Sequence, residues 1–256
     1  MTEGERWCDQ VALSLHAWLE NLVIGCARCE GFADLVDVCV LGYRTDPAGE
    51  PIVEPAFIGP LAGKDLVPIE DVANSPARCD TAQVIIPDEE SGEMLPMERQ
   101  VPVWVEPIAT GESPLCSAIA KACEIVDRWI PEHRSSFPPI VLNITSGLFS
   151  DGDPAPYADA LKARSTEDGH VLFFNCYVSA STADPFLFPG SAKRMPDACA
   201  RHLFEMSSML PDSLVSEFRW DGQDLEPNAR GMAYNADMVA LLRAIRMGGT
   251  EGPRCG

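Results

Sequence analysis

Hydrophobic positions along the chain switch between a helical and a strand period, and the switches mark out the elements. Over residues 5 to 25, Trp7, Val11, Leu15, Trp18, Leu19 and Leu22 recur at helical intervals, which predicts an amphipathic helix with one face on a core. His16 lies beside that stripe with no partner residue in view, a placement that suits a structural histidine better than a catalytic one. After a turn near Gly31, LVDVCVLGY at residues 35 to 43 is the first recognisable strand. The periodicity then dissolves from Arg44 to about Gln100, where Pro47, Pro51, Pro55, Pro60, Pro68, Pro76, Pro87 and Pro96 recur among Gly, Asp and Glu. This reads as a long irregular excursion within one domain spanning residues 1 to 256. Its acidic piece at residues 87 to 94 reads as a solvated hairpin tip or bulge, because clustered carboxylates resist burial.

Regular patterning returns at VPVWVEPIA, residues 101 to 109, whose period-two alternation predicts a half-exposed edge strand. Ser113 and Pro114 then form a cap and first-turn pair for a helix carrying Leu115, Ile119, Ala122, Ile125, Val126 and Trp129. In PPIVLNITSGLFSDGDP, residues 138 to 154, Ile140, Val141, Leu142 and Ile144 predict a strand buried on both faces of a parallel sheet. Ligands of open α/β sheets lie beyond the carboxyl ends of the strands, so a site is expected at Thr145, Ser146, Gly147, Ser150, Asp151 and Asp153. A polar turn without chemistry is the plainer reading of that loop.

A helix over about 155 to 169 and a buried strand over 170 to 180 follow. Next come a helix with Cys199, Leu203, Met206 and Met209 inward, a short strand from Gly231 to Asn235, a final helix from Asp237, and a loose tail at 248 to 256. Strand, helix and strand in repetition predict an α/β fold, a doubly wound, mostly parallel Rossmann-like sheet with helices on both faces.

Charge and cysteine usage narrow the partners. A formal net charge of -20 without a basic block disfavours nucleic acid and anionic membranes, since both require Lys and Arg. No apolar run reaches about 18 residues, and the N-terminus lacks a signal-peptide pattern. The ten cysteines follow no disulfide or zinc spacing: Cys26 and Cys29 form a lone pair, and Cys39, Cys116, Cys123 and Cys176 fall inside predicted elements as small hydrophobes. Unpaired thiols without a secretory signal favour the cytoplasm. GPLAGKD at residues 59 to 65 lacks the spacing and the hydroxyl of a phosphate loop.

The succession TGESPLCSAI, FPPIVLNITSGLFSDGDP, DGHVLFFN and MSSMLP followed by ARGMAYNADMVALL, over roughly residues 7 to 247, resembles the bacterial von Willebrand factor type A domains. The nearest likeness is to the stand-alone cytoplasmic group related to tellurium-resistance-type proteins. The resemblance implies a doubly wound sheet and a binding module built round a metal-ion-dependent adhesion site. That site uses an Asp-x-Ser-x-Ser after the first strand, a Thr in a Gly-x-Thr-Pro-like turn and an Asp in a Thr-Asp-Gly turn. Together they form a hard-oxygen shell for Mg²⁺ with one position left for a partner's carboxylate. Here Ser113, after Glu112, stands at the Thr position and Ser146 at the Asp position, which removes a charge. No Asp-x-Ser-x-Ser precedes the first helix, so the site is degenerate and N-terminally incomplete, and Mg²⁺ is implied only if such a motif is supplied upstream.

The family's first strand lies between the strands at 35–43 and 139–145, with 101–108 outside. Without it, ladder groups lose partners at about 1 to 3 kcal/mol each, which predicts marginal stability and association through an added strand. The implied function is a non-enzymatic interaction module whose partner contacts Glu112, Ser113, Ser146, Asp151 and Asp153, with no catalytic residue and no confident cofactor. The alternative is metal-assisted phosphoryl hydrolysis on Asp151 and Asp153. A serine hydrolase is disfavoured, for there is no Gly-x-Ser-x-Gly elbow and neither His170 nor His202 has an evident partner in the sequence.

Overall fold

The computed structural model describes residues 3–28, 31–32, 36–87, 94–179, 183–220 and 225–235. Cys29, the acidic residues 88–93, the helix expected from Asp237 and the tail expected at 248–256 lie outside the described residues. The chain divides into two compact units, Met1–Val40 with Pro55–Ile108 and Leu41–Glu54 with Ala109–Gly256.

In the second unit the strand Ile140–Thr145 runs parallel to Leu172–Tyr177, in register from Ile140 opposite Leu172 to Thr145 opposite Tyr177. Met232–Tyr234 adds a third parallel strand, and Phe186–Leu187 pairs antiparallel with it. The architecture is a mixed α/β arrangement with a small sheet of both parallel and antiparallel strands. All six residues of Leu172–Tyr177 are buried, as an inner parallel strand of continuous apolar character should be. The helices Ala155–Lys162 and Ala198–Met206 fall between successive parallel strands, giving two consecutive crossover units.

Alternation along the strands decides what packs where. Val141, Phe173, Tyr177, Met232 and Tyr234 share one apolar cluster with Leu115, Ile119 and Val126 of the helix Leu115–Trp129. Ala158 and Leu161 of the second helix and Ala200 and Leu203 of the third join the same cluster. Three helices therefore line one face of the sheet, while Phe174 and Cys176 are buried on the other. Met209, expected to face inward, lies beyond the end of its helix at Met206 and is exposed.

Two sheet expectations are corrected. The strand Ile140–Thr145 lies at an end of the four-stranded sheet rather than at its centre. The segment 35–43 breaks into Asp37–Val38, which pairs with Val67–Pro68, and Leu41–Thr45, which pairs with Pro51–Pro55. Among the described residues neither ladders onto Ile140–Thr145.

In the first unit the irregular reading of residues 55 to 100 is overturned. Arg78–Pro87 and Met94–Val103 form an antiparallel ribbon, ten residues on each side. Pro96 and Pro102 sit six apart in one strand, and a two-stranded ribbon accepts proline wherever the missing N–H would point outward. Proline density therefore misreads as irregular structure here. The segment predicted as a half-exposed edge strand ends instead in the core, with Trp104 and Val105 buried among Phe57, Leu61, Val67 and Val72. The Trp104 indole N–H donates to the Val72 carbonyl at 2.8 Å.

The first helix, Glu3–Cys26, turns Ala12, His16, Leu19, Leu22 and Cys26 inward. His16 is thus inside the buried stripe and not beside it. Its ring contacts Trp104, and burial holds its pKa below the ordinary value against the opposing pull of Glu106. Among the described residues no helix is long and apolar enough to cross a membrane.

Candidate functional site

The loop that leaves the carboxyl end of Ile140–Thr145 is fixed at almost every residue. The Thr145 hydroxyl oxygen accepts the Gly147 N–H at 3.0 Å, which turns the chain sharply off the strand. Gly147 has a φ of +94°, and a Cβ there would meet the Tyr177 ring at 2.6 Å and the Cys199 sulfur at 2.8 Å. Only glycine meets both demands. The Cys199 thiol donates to the Gly147 carbonyl at 2.8 Å. Further on, the Ser150 N–H donates to the Ser113 carbonyl at 3.0 Å, tying this loop to the turn before the helix Leu115–Trp129.

Asp151 is the keystone of that junction. Its Oδ1 accepts the Cys116 N–H at 3.0 Å, and its Oδ2 accepts the Ser117 N–H at 2.8 Å and the Ser117 hydroxyl at 2.9 Å. These are the second and third residues of the helix, whose amides have no partner within it. Burial pushes the Asp151 carboxyl up, but the hydrogen bonds from Ser117 and Cys116 outweigh that and hold it below the usual carboxylate range. The expected cap was Ser113. In the structure Pro114 occupies the cap position and supplies no side-chain bond, so the oxygen arrives from a different loop.

Asp153 does the equivalent for the next helix. Its Oδ1 accepts the Ala155 N–H at 3.0 Å and lies 3.0 Å from His202 Nε2. His202 therefore has an acidic neighbour, which its place in the sequence gave no sign of, and its ring also contacts Phe149. Glu112 is exposed and held through its backbone: its N–H donates to Thr45 Oγ1 at 2.9 Å, and its carbonyl accepts the Thr45 N–H at 3.1 Å. Ser146 and Leu148 are exposed, Leu148 to 79%.

Where a crevice is expected beyond the strands, aromatic side chains pack on one another. The Tyr177 ring meets Tyr234 edge-on at 5.3 Å, and Tyr234 stacks on Phe186 at 5.1 Å. The Tyr177 hydroxyl donates to Asp197 Oδ2 at 3.4 Å. Behind the crevice a buried polar chain crosses the sheet. The Tyr43 hydroxyl lies 2.8 Å from Asn143 Oδ1 and 3.0 Å from the Ile144 carbonyl oxygen. Asn143 Nδ2 donates to Asn175 Oδ1 at 3.0 Å, and Asn175 Nδ2 donates to the Ser207 hydroxyl at 2.9 Å and the Leu203 carbonyl at 3.3 Å. Burial pushes the Tyr43 phenol up to about 12. Sequence reading missed Tyr43, Tyr177, Asn175 and Cys199, because each owes its role to a partner distant in the chain.

The chemistry available is limited. Burial pushes the thiols of Cys116 and Cys199 up to about 11, with Asp151 and Asp197 respectively adding to it, and that of Cys176 up to about 12. None of these is a thiolate nucleophile at neutral pH. Among the described residues no group of three or more His, Cys, Asp or Glu converges as a metal set. The residues present fit Mg²⁺ poorly: Ser113 and Ser146 offer neutral hydroxyls, and both oxygens of Asp151 already hold the helix. No family model, no curated protein and no solved structure matches the chain.

Proposed function

We propose that the chain is a non-enzymatic protein-interaction module of the von Willebrand factor type A kind, working in a cytoplasmic multi-protein assembly with weak or no metal dependence. The observation that carries this reading is the loop after Ile140–Thr145. It is pinned at Gly147, Ser150, Asp151 and Asp153, yet it holds Leu148 out in solvent with Ser146 exposed nearby. Order is costly unless something uses it, and a fixed loop with an exposed apolar tip meets a partner with little entropy left to lose. The partner surface is Leu148 with Glu112, Ser113, Ser146 and the outward sides of Asp151 and Asp153.

The two consecutive crossover units, with three helices on one face, support the α/β part of this reading, and helices on the other face belong to the proposal. Crossovers that step in one direction across a parallel sheet leave their helices on the same side, as the second half of such a sheet requires. The capping duty of Asp151 favours binding over phosphoryl transfer, since a carboxylate that accepts three hydrogen bonds is a poor nucleophile.

Crosslinking through a photoreactive residue at position 148, in cells of the native host, tests the proposal. One defined protein band is expected, and it should disappear when Leu148→Asp is tested by co-purification. A screen of phosphate and carboxyl esters with and without Mg²⁺ should find no turnover. Mg²⁺-dependent turnover that is abolished by Asp153→Asn would overturn the reading.

A further inference from the structure

The strand Ile140–Thr145 has one edge in use. Leu172 donates to the Pro139 carbonyl at 3.0 Å and Val178 to the Thr145 carbonyl at 2.9 Å. In a parallel ladder each residue turns its N–H and C=O to the same side, and successive residues alternate. Pro139, Val141, Asn143 and Thr145 therefore face Leu172–Tyr177, and Ile140, Leu142 and Ile144 turn their backbone groups to the opposite edge. On that edge the Tyr43 hydroxyl reaches the Ile144 carbonyl. The remaining groups, the N–H of all three residues and the C=O of Ile140 and Leu142, have no hydrogen-bond partner among the described residues.

Nothing in the strand protects this edge. The sequence IVLNIT carries no charge and no proline, although these are the usual means of keeping an open edge from pairing. Ile140, Val141 and Leu142 are only half-buried, while every residue of the neighbouring strand is buried.

We propose that this edge accepts an added strand, an extended segment of a cationic partner protein with apolar residues at alternate positions. The alternation lets the added strand cover the half-buried side chains of Ile140 and Leu142 while its backbone completes the ladder. A second copy of the chain suits the edge less well. Each copy brings a formal charge of -20. Like charge of that size opposes self-association and draws a cationic segment. The edge is separate from the exposed loop tip at Leu148, so losing a partner at that loop leaves this prediction intact.

Hydrogen exchange on the full chain tests the edge directly. In the free protein the amides of Ile140, Leu142 and Ile144 should exchange at least about tenfold faster than those of Val141 and Asn143. The binding probe is a fluorescent peptide of alternating Val and Thr flanked by lysines. It should bind and slow those three amides. A version N-methylated at its edge-facing amides should bind about tenfold more weakly or worse, as should a version flanked by glutamates. Ile140→Pro, which removes an N–H that no internal bond uses, should weaken the lysine peptide similarly with thermal unfolding little changed. Protection of the three amides in the free chain, absence of peptide binding, equal affinity for the N-methylated peptide, or a stable dimer that the peptide leaves intact would each overturn the proposal.

Discussion

Asp151 and Ser117 stand 34 residues apart in the chain, yet one carboxylate oxygen of Asp151 accepts both the amide and the hydroxyl of Ser117. A helix beginning in one segment is thus closed by a loop that follows the next strand. The loop and helix are ordered together, and the stability of each can be read in the other.

Replacing Asp151 by Ala should cost about 2 kcal/mol, the upper end for a helix cap, because two amides and a hydroxyl lose their acceptor together. The sign of the pH effect follows from a folded pKa below the unfolded one. The ionised form contributes stability above about pH 4, the unfolded carboxyl value, and that contribution is lost as pH falls through the lower folded value. Urea unfolding of wild type and Asp151→Asn should show a gap at neutral pH that narrows below about pH 4. A gap independent of pH would show that the charge plays no part.

Tyr43 should govern the alkaline limit. Its phenol is pushed up to about 12 by burial, above the unfolded value of about 10. The stability it contributes is fully present below about pH 10 and disappears as pH rises towards the folded value. Tyr43→Phe should cost about 1 to 3 kcal/mol, since the buried Asn143 oxygen loses a donor, and should flatten the loss between about pH 10 and 12. Tyrosinate absorbance followed during alkaline titration checks this.

Asn175 holds the interior of the polar chain. Removing its side chain as Asn175→Ala strands the Asn143 amide and the Ser207 hydroxyl's acceptor role together, at a cost of about 1 to 3 kcal/mol for each group left unpaired. The double change Asn143→Leu with Asn175→Leu should be milder than the sum of the singles, because the bond between the two amides then loses both of its partners at once. Thermal unfolding of the four proteins gives the coupling.

Gly147→Ala should destabilise the loop beyond what a surface change allows, by more than about 1 kcal/mol. A Cβ there must displace the Tyr177 ring or Cys199 as well as strain the backbone at a φ of +94°. Cys199→Ala in the same background should recover part of the loss, by opening the space on one side. An alanine variant as stable as wild type would mean that the turn can be rebuilt.

Calorimetric titration with Mg²⁺ should give weak heats or none. Micromolar binding that Ser113→Ala abolishes would contradict the poor fit of these residues to a divalent cation.

The local periods were legible from residues alone. The apolar runs at 140–144 and 172–177 and the helical spacings from Leu115 to Trp129 and from Cys199 to Met206 encode elements through side-chain alternation, and those elements stand where the pattern predicts. The Pro-rich region was misread because proline forbids a donor, not a strand: a two-stranded ribbon has outward positions that need no donor. The edge expected at Val101 to Ala109 failed for a different reason. Alternation says that two faces differ but not what covers either one, and Trp104 and Val105 are covered on account of Phe57, Leu61 and Val72.

At the candidate site the sequence determined the residue types and the tertiary structure decided their employment. The acidic, small-residue loop after an apolar strand placed Ser146, Asp151 and Asp153 at the carboxyl end of the sheet, because strand direction and turn chemistry are local. Whether a carboxylate there would bind a cation, attack a substrate or hold a helix depended on what lay within about 3 Å. For Asp151 that was the start of the helix at Leu115, with its unpaired amides at Cys116 and Ser117. Local pattern carries no information on such a meeting, since hydrogen bonds between segments arise only when packing of the apolar faces has brought the segments together.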